Sequence, residues 1–417
     1  MKPGREPEPA HRVDAERLEF GGGLEVLLAA ALERVAPGGV LEIRTPSRAV
    51  ALELPSWARL AGHELISEAG EHKAQVLRIR RGDAARILAG PLPARGDRPV
   101  LRDGELHTGD LRDGVPPEPD PGAGFAPLRS VPEAGAPAYH WQLSRRDAVW
   151  ADDVGELVEQ ASAQQWDASR DVPWEAAREL DSSTEKAVAQ VMTFLAQNEY
   201  AALYVPARFL PQINPQLVEL VLWLSSHVHD EARHIEVFTK RSLIGGQRGF
   251  ALAATELSLH TLLDEHDFTS SSLLLNVLGE GTFLDLLRFI ELHAPDAATA
   301  TSARLAHRDE RRHVHFGISN IKRATSLDPD LTPTLVRAAE ARAAKLTSLS
   351  GLSPLLVEAL TIMAAPSLQP AELAEAAADV RDLMATMESN RLRRLRACGF
   401  SAAMAQHLSD LHTPNLM

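Results

Sequence analysis

Two copies of one pattern carry the chemistry of this chain. Glu199 is followed by Asp230-Glu231-Ala232-Arg233-His234, and Glu280 is followed by Asp309-Glu310-Arg311-Arg312-His313. Residues three apart on a helix share a face, so each Glu-x-x-His aims an oxygen and a ring nitrogen at one point. Two such pairs with two lone glutamates form the donor set of a carboxylate-bridged pair of metal ions inside a four-helix bundle. A single Glu-x-x-His reads as a solvated helix face. The doubled pattern at matched spacing does not.

The positioning elements are four helices whose apolar seams include the donors. Met192, Leu195, Glu199 and Ala202 repeat at three-and-four spacing, and so do Leu217, Leu220, Leu224, Glu231, Ile235 and Phe238. Leu273, Val277, Glu280, Leu284 and Leu287 form the third seam, and Ala303, Ala306, Glu310, His313 and Gly317 the fourth. Glutamates thus stand where the bundle pattern calls for apolar or small residues. Four buried carboxylates would repel one another and lose hydration. Two divalent cations cancel their four charges. Asp230 and Asp309 are expected to accept the ring N–H of the histidine from the other pair, fixing its tautomer.

These residues resemble the ferritin-like di-iron carboxylate superfamily over roughly residues 146–326, and particularly its oxygen-activating members: ribonucleotide reductase small subunits, their ligand-binding oxidase relatives and arylamine N-oxygenases. The resemblance implies two irons, or a mixed manganese–iron pair, held by Glu199, Glu231, His234, Glu280, Glu310 and His313, with the four glutamates at the reacting centre. A reductase would carry its radical tyrosine one turn past the first histidine, where this chain has Phe238. That departure disfavours reductase function.

Composition sets the frame. The chain has 417 residues, 45% hydrophobic and 24% charged, enough for two or three domains. Its formal net charge of −14 disfavours nucleic acid and anionic membranes as partners. The single cysteine, Cys398, leaves no room for an internal disulfide or a cysteine metal site. No apolar run approaches the ~20 residues of a membrane span, and the polar N-terminus does not read as a secretory signal, so a cytoplasmic address is expected.

The expected organisation is multidomain α+β: a disordered tail (1–11), a small α/β module (12–83), a Pro/Gly-rich linker (84–141), the four-helix bundle (142–326) and a C-terminal helical extension (327–417). In the module, Gly21-Gly22-Gly23 precedes a helix from Leu24 to Val35 and a strand from Val40 to Arg44. A helix near Trp57 to Ala61 and strands over His63–Glu68 and Ala74–Arg80 follow. This order, with ELPSWARLAGHELI at its centre, resembles the TusA-like sulfur-carrier fold. Sulfur carriers hold a persulfide on a Cys-Pro before their first helix, and this chain has glycines there, so a docking or structural role is implied instead. The glycine loop is also a weak candidate for binding an anion.

Within the linker a short hairpin is expected around Leu101 to Leu111. Helix boundaries are read before Pro206, at Asn214-Pro215, at Gly245-Gly246, at Asp296 and at Asp328-Pro329. A crossover helix from about Ala251 to Glu265 and three or more helices beyond residue 333 complete the reading. His227, one turn before Glu231, faces the metals as an extra ligand or proton donor in one reading. Tyr200 and Tyr204, beside Glu199, are candidate relays, with packing the favoured reading. Trp150, Trp166 and Trp174 read as packing.

The function expected is O2-dependent oxidation of a small organic substrate by hydroxylation, N-oxygenation or desaturation. Its electrons come from an external ferredoxin or reductase, since no flavin or nicotinamide fingerprint is present. A homodimer is compatible with this reading. The alternatives are a ferroxidase or peroxide-consuming protein and a non-catalytic metal or oxygen sensor.

Overall fold

Alternation at period two builds one unit and a helical period builds the other. The computed structural model describes residues 8–71, 74–82, 101–111, 115–128, 130, 137–177, 179–346 and 353–411. One unit comprises Met1–Arg98 with Val131–Pro137, and the second Pro99–Ser130 with Ala138–Met417.

The first unit runs β1 (His11–Asp14), α1 (Leu24–Glu33), β2 (Val40–Thr45), α2 (Arg48–Leu60), β3 (Glu64–Glu71) and β4 (Ala74–Arg80). Its sheet has the order β1-β2-β4-β3, with β1 parallel to β2 and the other pairs antiparallel. Leu41, Ile43, Leu77 and Ile79 project to one face, where Leu24, Leu28 and Leu32 of α1 and Val50, Leu54 and Ala58 of α2 cover them. On the alternating positions Glu42 accepts from Arg12 at 3.1 Å and from Arg78 at 2.9 Å. One covered and one charged face make a two-layer sandwich.

Several expectations change here. His11 begins a strand instead of closing a disordered tail, and residues 1–7 of that tail lie outside the described residues. With one apolar residue in four, β1 carries too little pattern to be read locally. The second helix starts at Arg48, well before Trp57. The glycine turn is served from within: the Glu25 carboxylate accepts from the Gly21 N–H, which holds its pKa below the usual range. That occupant argues against an external anion.

Much of the expected linker, including residues 83–100, lies outside the described residues. The rest is not free chain. Thr108 N–H donates to Glu159 at 2.8 Å, and Arg146 N–H donates to Pro117 O at 3.0 Å, so residues 101–128 belong with the helices. The expected hairpin reduces to one Arg102–Glu105 bridge.

In the helical unit, α3 (Arg146–Val149) and α4 (Val154–Ala163) lead into α5 (Ser182–Phe209) and α6 (Val218–Ile244). The crossover is α7 (Ala253–Leu263). Next comes one rod in three pieces: α8 (Phe268–Ser272), a π-helical stretch (Leu273–Glu280) and α9 (Gly281–His293), followed by α10 (Ala297–Leu327). Asp181 caps α5, accepting from Ser183 N at 2.9 Å, and Asp296 caps α10, accepting from Thr299 N at 2.7 Å. Pro206 does not end its helix, because α5 continues to Phe209 with Val205, Pro206 and Phe209 buried. Asn214-Pro215 makes a turn in which Asn214 Oδ1 accepts from Gln216 N at 3.0 Å, and α6 begins only at Val218.

Away from the donors, fully buried Arg241 of α6 bonds Glu185 of α5 at 2.7 Å, and Asp296 and Thr299 at the start of α10 at 2.7 and 2.6 Å. Such a buried cluster is costly to break, about 3–5 kcal/mol for loss of one partner. The extension forms α11 (Leu331–Leu346), α12 (Pro354–Ala364), α13 (Pro370–Ala397) and α14 (Ala402–Leu411), with α12 against α5 and α13 against α9. No described helix is long and apolar enough to cross a membrane.

Candidate metal centre

Helical phase turns the donors of α5, α6, the π-helical stretch and α10 into one buried cluster. Glu199, Glu231, His234, Glu280, Glu310 and His313 are each at most 4% exposed. Their ligand atoms form two groups, each within 4.8 Å: Glu199, Glu231, His234 and Glu310, and His227, Glu231, Glu280 and His313. Glu231 belongs to both. Glu310 also spans the groups, with Oε1 3.4 Å from His234 Nδ1 and Oε2 3.4 Å from His313 Nδ1.

Some of the close approaches are hydrogen bonds, His234 Nδ1 with Glu231 Oε2 and His227 Nε2 with Glu280 Oε1, each at 3.2 Å, and others are not. Glu231 Oε1 and His313 Nδ1 are 2.9 Å apart, yet neither atom has a hydrogen-bond partner, and nor do Glu199 Oε1 or either Glu310 oxygen. Buried donor atoms converging without protons aligned between them suit a shared cation. The hard carboxylates and imidazoles fit first-row transition ions.

Titration follows the same logic. Burial raises the Glu199 carboxyl well above its ordinary value, and the charges of Glu231 and Glu310 add to this. Burial also raises Glu280, against an opposing pull from His227. For His234 and His313 burial works downward, but the Glu231 carboxylate prevails and both are raised well above the usual imidazole range. Glu231 itself moves well down: burial opposes the shift, and the two imidazoles overcome it. Without metal, protons take the positions of positive charge.

Each outer ring nitrogen faces the aspartate of the other pair. His313 Nε2 lies 3.3 Å from Asp230 Oδ2, and His234 Nε2 lies 3.4 Å from Asp309 Oδ2. With Nδ1 facing the donors, Nε2–H is the proton each aspartate can accept. Two arginines complete the cage. Arg312 Nη2 donates to Asp230 at 2.9 Å and to Asp309 at 2.6 Å, while Arg233 Nη2 donates to Asp309 at 3.1 Å and pairs with Asp230. Two carboxylates and two guanidiniums cancel, so the cage adds no net charge.

Sequence reading passed over Arg233 and Arg312, although both motifs carry arginine just before the histidine. It also took Trp166 as packing, whereas its indole N–H donates to Asp309 at 2.6 Å and its backbone oxygen accepts from Arg233 at 3.1 Å. Asn276 was missed too; its amide donates to Glu280 Oε2 at 2.7 Å from within the π-helical stretch. Trp174 does pack, donating to Ala168 O at 2.9 Å.

His227 joins the donors. Its Nε2 is 3.2 Å from both Glu231 Oε1 and Glu280 Oε1, and its ring stacks on His313 at 3.8 Å. Tyr200 does not join them. It is 49% exposed and sits beside exposed Tyr204, because one residue along a helix turns the side chain by about 100° away from Glu199. Phe238 is fully buried 6.2 Å from the His234 ring, so no phenol occupies that position.

The cluster opens on a cavity of about 30 Å3, lined by Glu199, Glu280 and Glu310 together with Ala202, Leu259, Leu262, Leu275 and Phe283.

No family model and no curated protein matches this chain. Similar solved structures include a variant R2-like ligand-binding oxidase with aerobically reconstituted Mn/Fe cofactor, 17% identical, covering 59% of this chain and 93% of that one with a TM-score of 0.45. Another is an R2-like ligand-binding oxidase with aerobically reconstituted Mn/Fe cofactor after a long soak, 16% identical over 63% and 93%, with a TM-score of 0.40. A variant with an Fe/Fe cofactor is 16% identical over 62% and 93%, with a TM-score of 0.40. Those overlaps are too loose to carry an argument. The metal reading rests on the side chains.

Proposed function

We propose that this protein is an O2-dependent oxidase or oxygenase that uses a pair of redox-active ions, iron with iron or manganese with iron, to oxidise a small organic substrate. The observation carrying this reading is a buried donor set with Glu231 common to both groups, opening on an apolar cavity. Glu199, Glu231, His234, Glu280, Glu310 and His313 would hold the ions. A bound pair supplies two electrons to O2 at one place.

The chain's own residues do the rest. Asp230 and Asp309 hold the imidazole tautomers, and Trp166 with the two arginines closes that side to water. Phe238 leaves no phenol beside His234 to be oxidised in place of substrate. An apolar wall beside the donors favours an organic substrate over ferroxidase chemistry, which needs an ion path instead. The electrons are assigned to an external reductase or ferredoxin. The N-terminal unit, read as TusA-like without the carrier cysteine, is assigned a docking role.

Anaerobic Fe(II) loading should reach two ions per chain, and O2 addition should change the optical spectrum. Product formation from candidate substrates, with O2 consumed in step, completes the test. Loading well short of two ions, or no reaction of the loaded protein with O2, overturns the reading.

A further inference from the structure

The outward side of α10 is a row of cations. At about 100° per residue, Arg304, Arg308, Arg311, His315 and Lys322 fall on one narrow stripe of the helix, and no carboxylate of α10 shares it. Arg304, Arg311, His315 and Lys322 are exposed, and the Arg308 side chain is 36% exposed. The C-terminal half of the stripe is compensated: His315 pairs with Asp153, and Arg323, beside Lys322, with Asp147 and Asp152. The N-terminal half is not. Among the described residues no ion pair reaches Arg304 or Arg311. Arg308 Nε lies 3.9 Å from Asp309 Oδ1, but Arg233 and Arg312 already hold that carboxylate.

A solvated helix face relieves its cations with acids three or four positions on. Here the positions three and four beyond Arg304 and Arg308 are His307, Arg308, Arg311 and Arg312. Three guanidiniums therefore repel one another over about 10 Å of helix, with Arg312 and Arg233 adding their charges to Arg308. On a chain of formal net charge −14 this excess is local. An acidic partner is repelled by the molecule at large and drawn to the stripe, which both steers and orients it. The stripe also stands close to the donors. Arg308 neighbours Asp309, whose Oδ2 is 3.4 Å from His234 Nε2, and donates to Gln164 O at 2.5 Å, two residues before Trp166. Arg308 and Asp309 alone separate solvent from a candidate ligand here.

We propose that the face of α10 formed by Arg304, Arg308 and Arg311 docks a small acidic electron-carrier protein over Asp309. This rests on the oxidase reading for the partner's role, and adds where that partner binds and by what charge. A nucleic acid suits the face less well. It is one helix wide, and no aromatic ring stands between the arginines for a base to stack on.

Calorimetric titration of the full-length protein, metal-free and metal-loaded, with an acidic two-iron ferredoxin tests this. Ferredoxin should bind both forms at low salt, and its affinity should fall about tenfold on going to physiological salt. Arg304→Glu with Arg311→Glu should weaken binding about tenfold or more, while the same charge change at Arg337 and Arg381, exposed on α11 and α13, should cost about twofold or less. Circular dichroism and metal analysis check that each variant folds and loads as the unaltered protein does. Arg304→Gln with Arg311→Gln, which removes the charges without reversing them, replaces the α10 pair if that pair does not fold. No ferredoxin binding at low salt, binding indifferent to salt, equal loss from the two pairs of substitutions, or tighter binding of an oligothymidylate at the same face overturns the proposal. The two readings fail separately. Normal metal loading and O2 reaction without ferredoxin binding sinks the docking face alone. Ferredoxin binding lost with Arg304 and Arg311, in a protein that takes up no metal, supports the face and sinks the oxidase.

Discussion

Asp309 accepts from Trp166, Arg233 and Arg312 while its Oδ2 lies 3.4 Å from the outer nitrogen of His234, so one carboxylate faces both a candidate ligand and two buried cations. Asp309→Asn keeps the shape and removes the charge. Metal affinity should drop by roughly 10–100-fold, the usual cost of disturbing a ligand's support. Stability should fall as well, since two guanidiniums then share the Asp230 charge. Metal titration and thermal melting read the two effects, and unchanged affinity would mean that His234 is not a ligand. The same residues predict proton release. Glu199, Glu280, His234 and His313 all have raised values in the metal-free cluster, and coordination needs each of them deprotonated. Metal uptake should therefore liberate protons, and affinity should rise with pH as proton competition weakens. Titration in buffers of different ionisation enthalpy measures the count. A count of zero would remove the electrostatic case for the site.

At the level of elements, the π-helical stretch sets where Glu280 falls. Asn276 and Glu280 bond within it, and Gly317 of α10 makes room for them: a Cβ at Gly317 would lie 2.6 Å from Asn276 Cβ. Backbone and Cβ atoms cannot yield as a flexible side-chain tip can. Gly317→Ala should push Asn276 away and carry Glu280 with it, weakening metal binding at the His227/His313 group while the Glu199/His234 group keeps its ion. Loading should drop from two ions toward one per chain, by metal analysis of folded protein. Two tightly held ions in Gly317→Ala would show that the crossing of α10 over this stretch does not set the site. Legibility at this scale was uneven. The six candidate donors, which the structure brings together, could be grouped from the sequence because they sit in phase with the apolar seams of single helices. Tyr200 was misplaced, though the 100° step from Glu199 already turned it outward.

For the molecule as a whole, each unit has its own core, one within residues 15–79 and the other spanning Val115 to Leu408. A chain starting at Pro99 should fold, load two ions and react with O2 at a rate similar to full length. One starting at Ala138 should be less stable, because it loses the His107 ring 3.1 Å from Glu159 and the Thr108 bond to the same carboxylate. Melting curves and metal analysis of both truncations provide the check. Loss of O2 reactivity in the Pro99 chain would make the N-terminal unit part of the active site.

What the sequence alone determined is what a single helix determines. Glu231 with His234 and Glu310 with His313 share faces because of the 3.6-residue turn, and burial of four charges in apolar seams already demanded cations. Caps such as Asp296 are likewise local. The tertiary structure decided what depends on the rotation and offset of one helix against another. Trp166 reaches Asp309 across 143 positions, and Arg342 meets the donor cavity from a helix outside the four that carry the donors. No periodicity records such meetings, because each side chain alone is compatible with packing or with solvent. Only the assembled bundle shows that His227 turns toward Glu280 while Tyr200 turns away, and that buried Arg342 has hydroxyls for neighbours where Arg233, Arg241 and Arg312 have carboxylates.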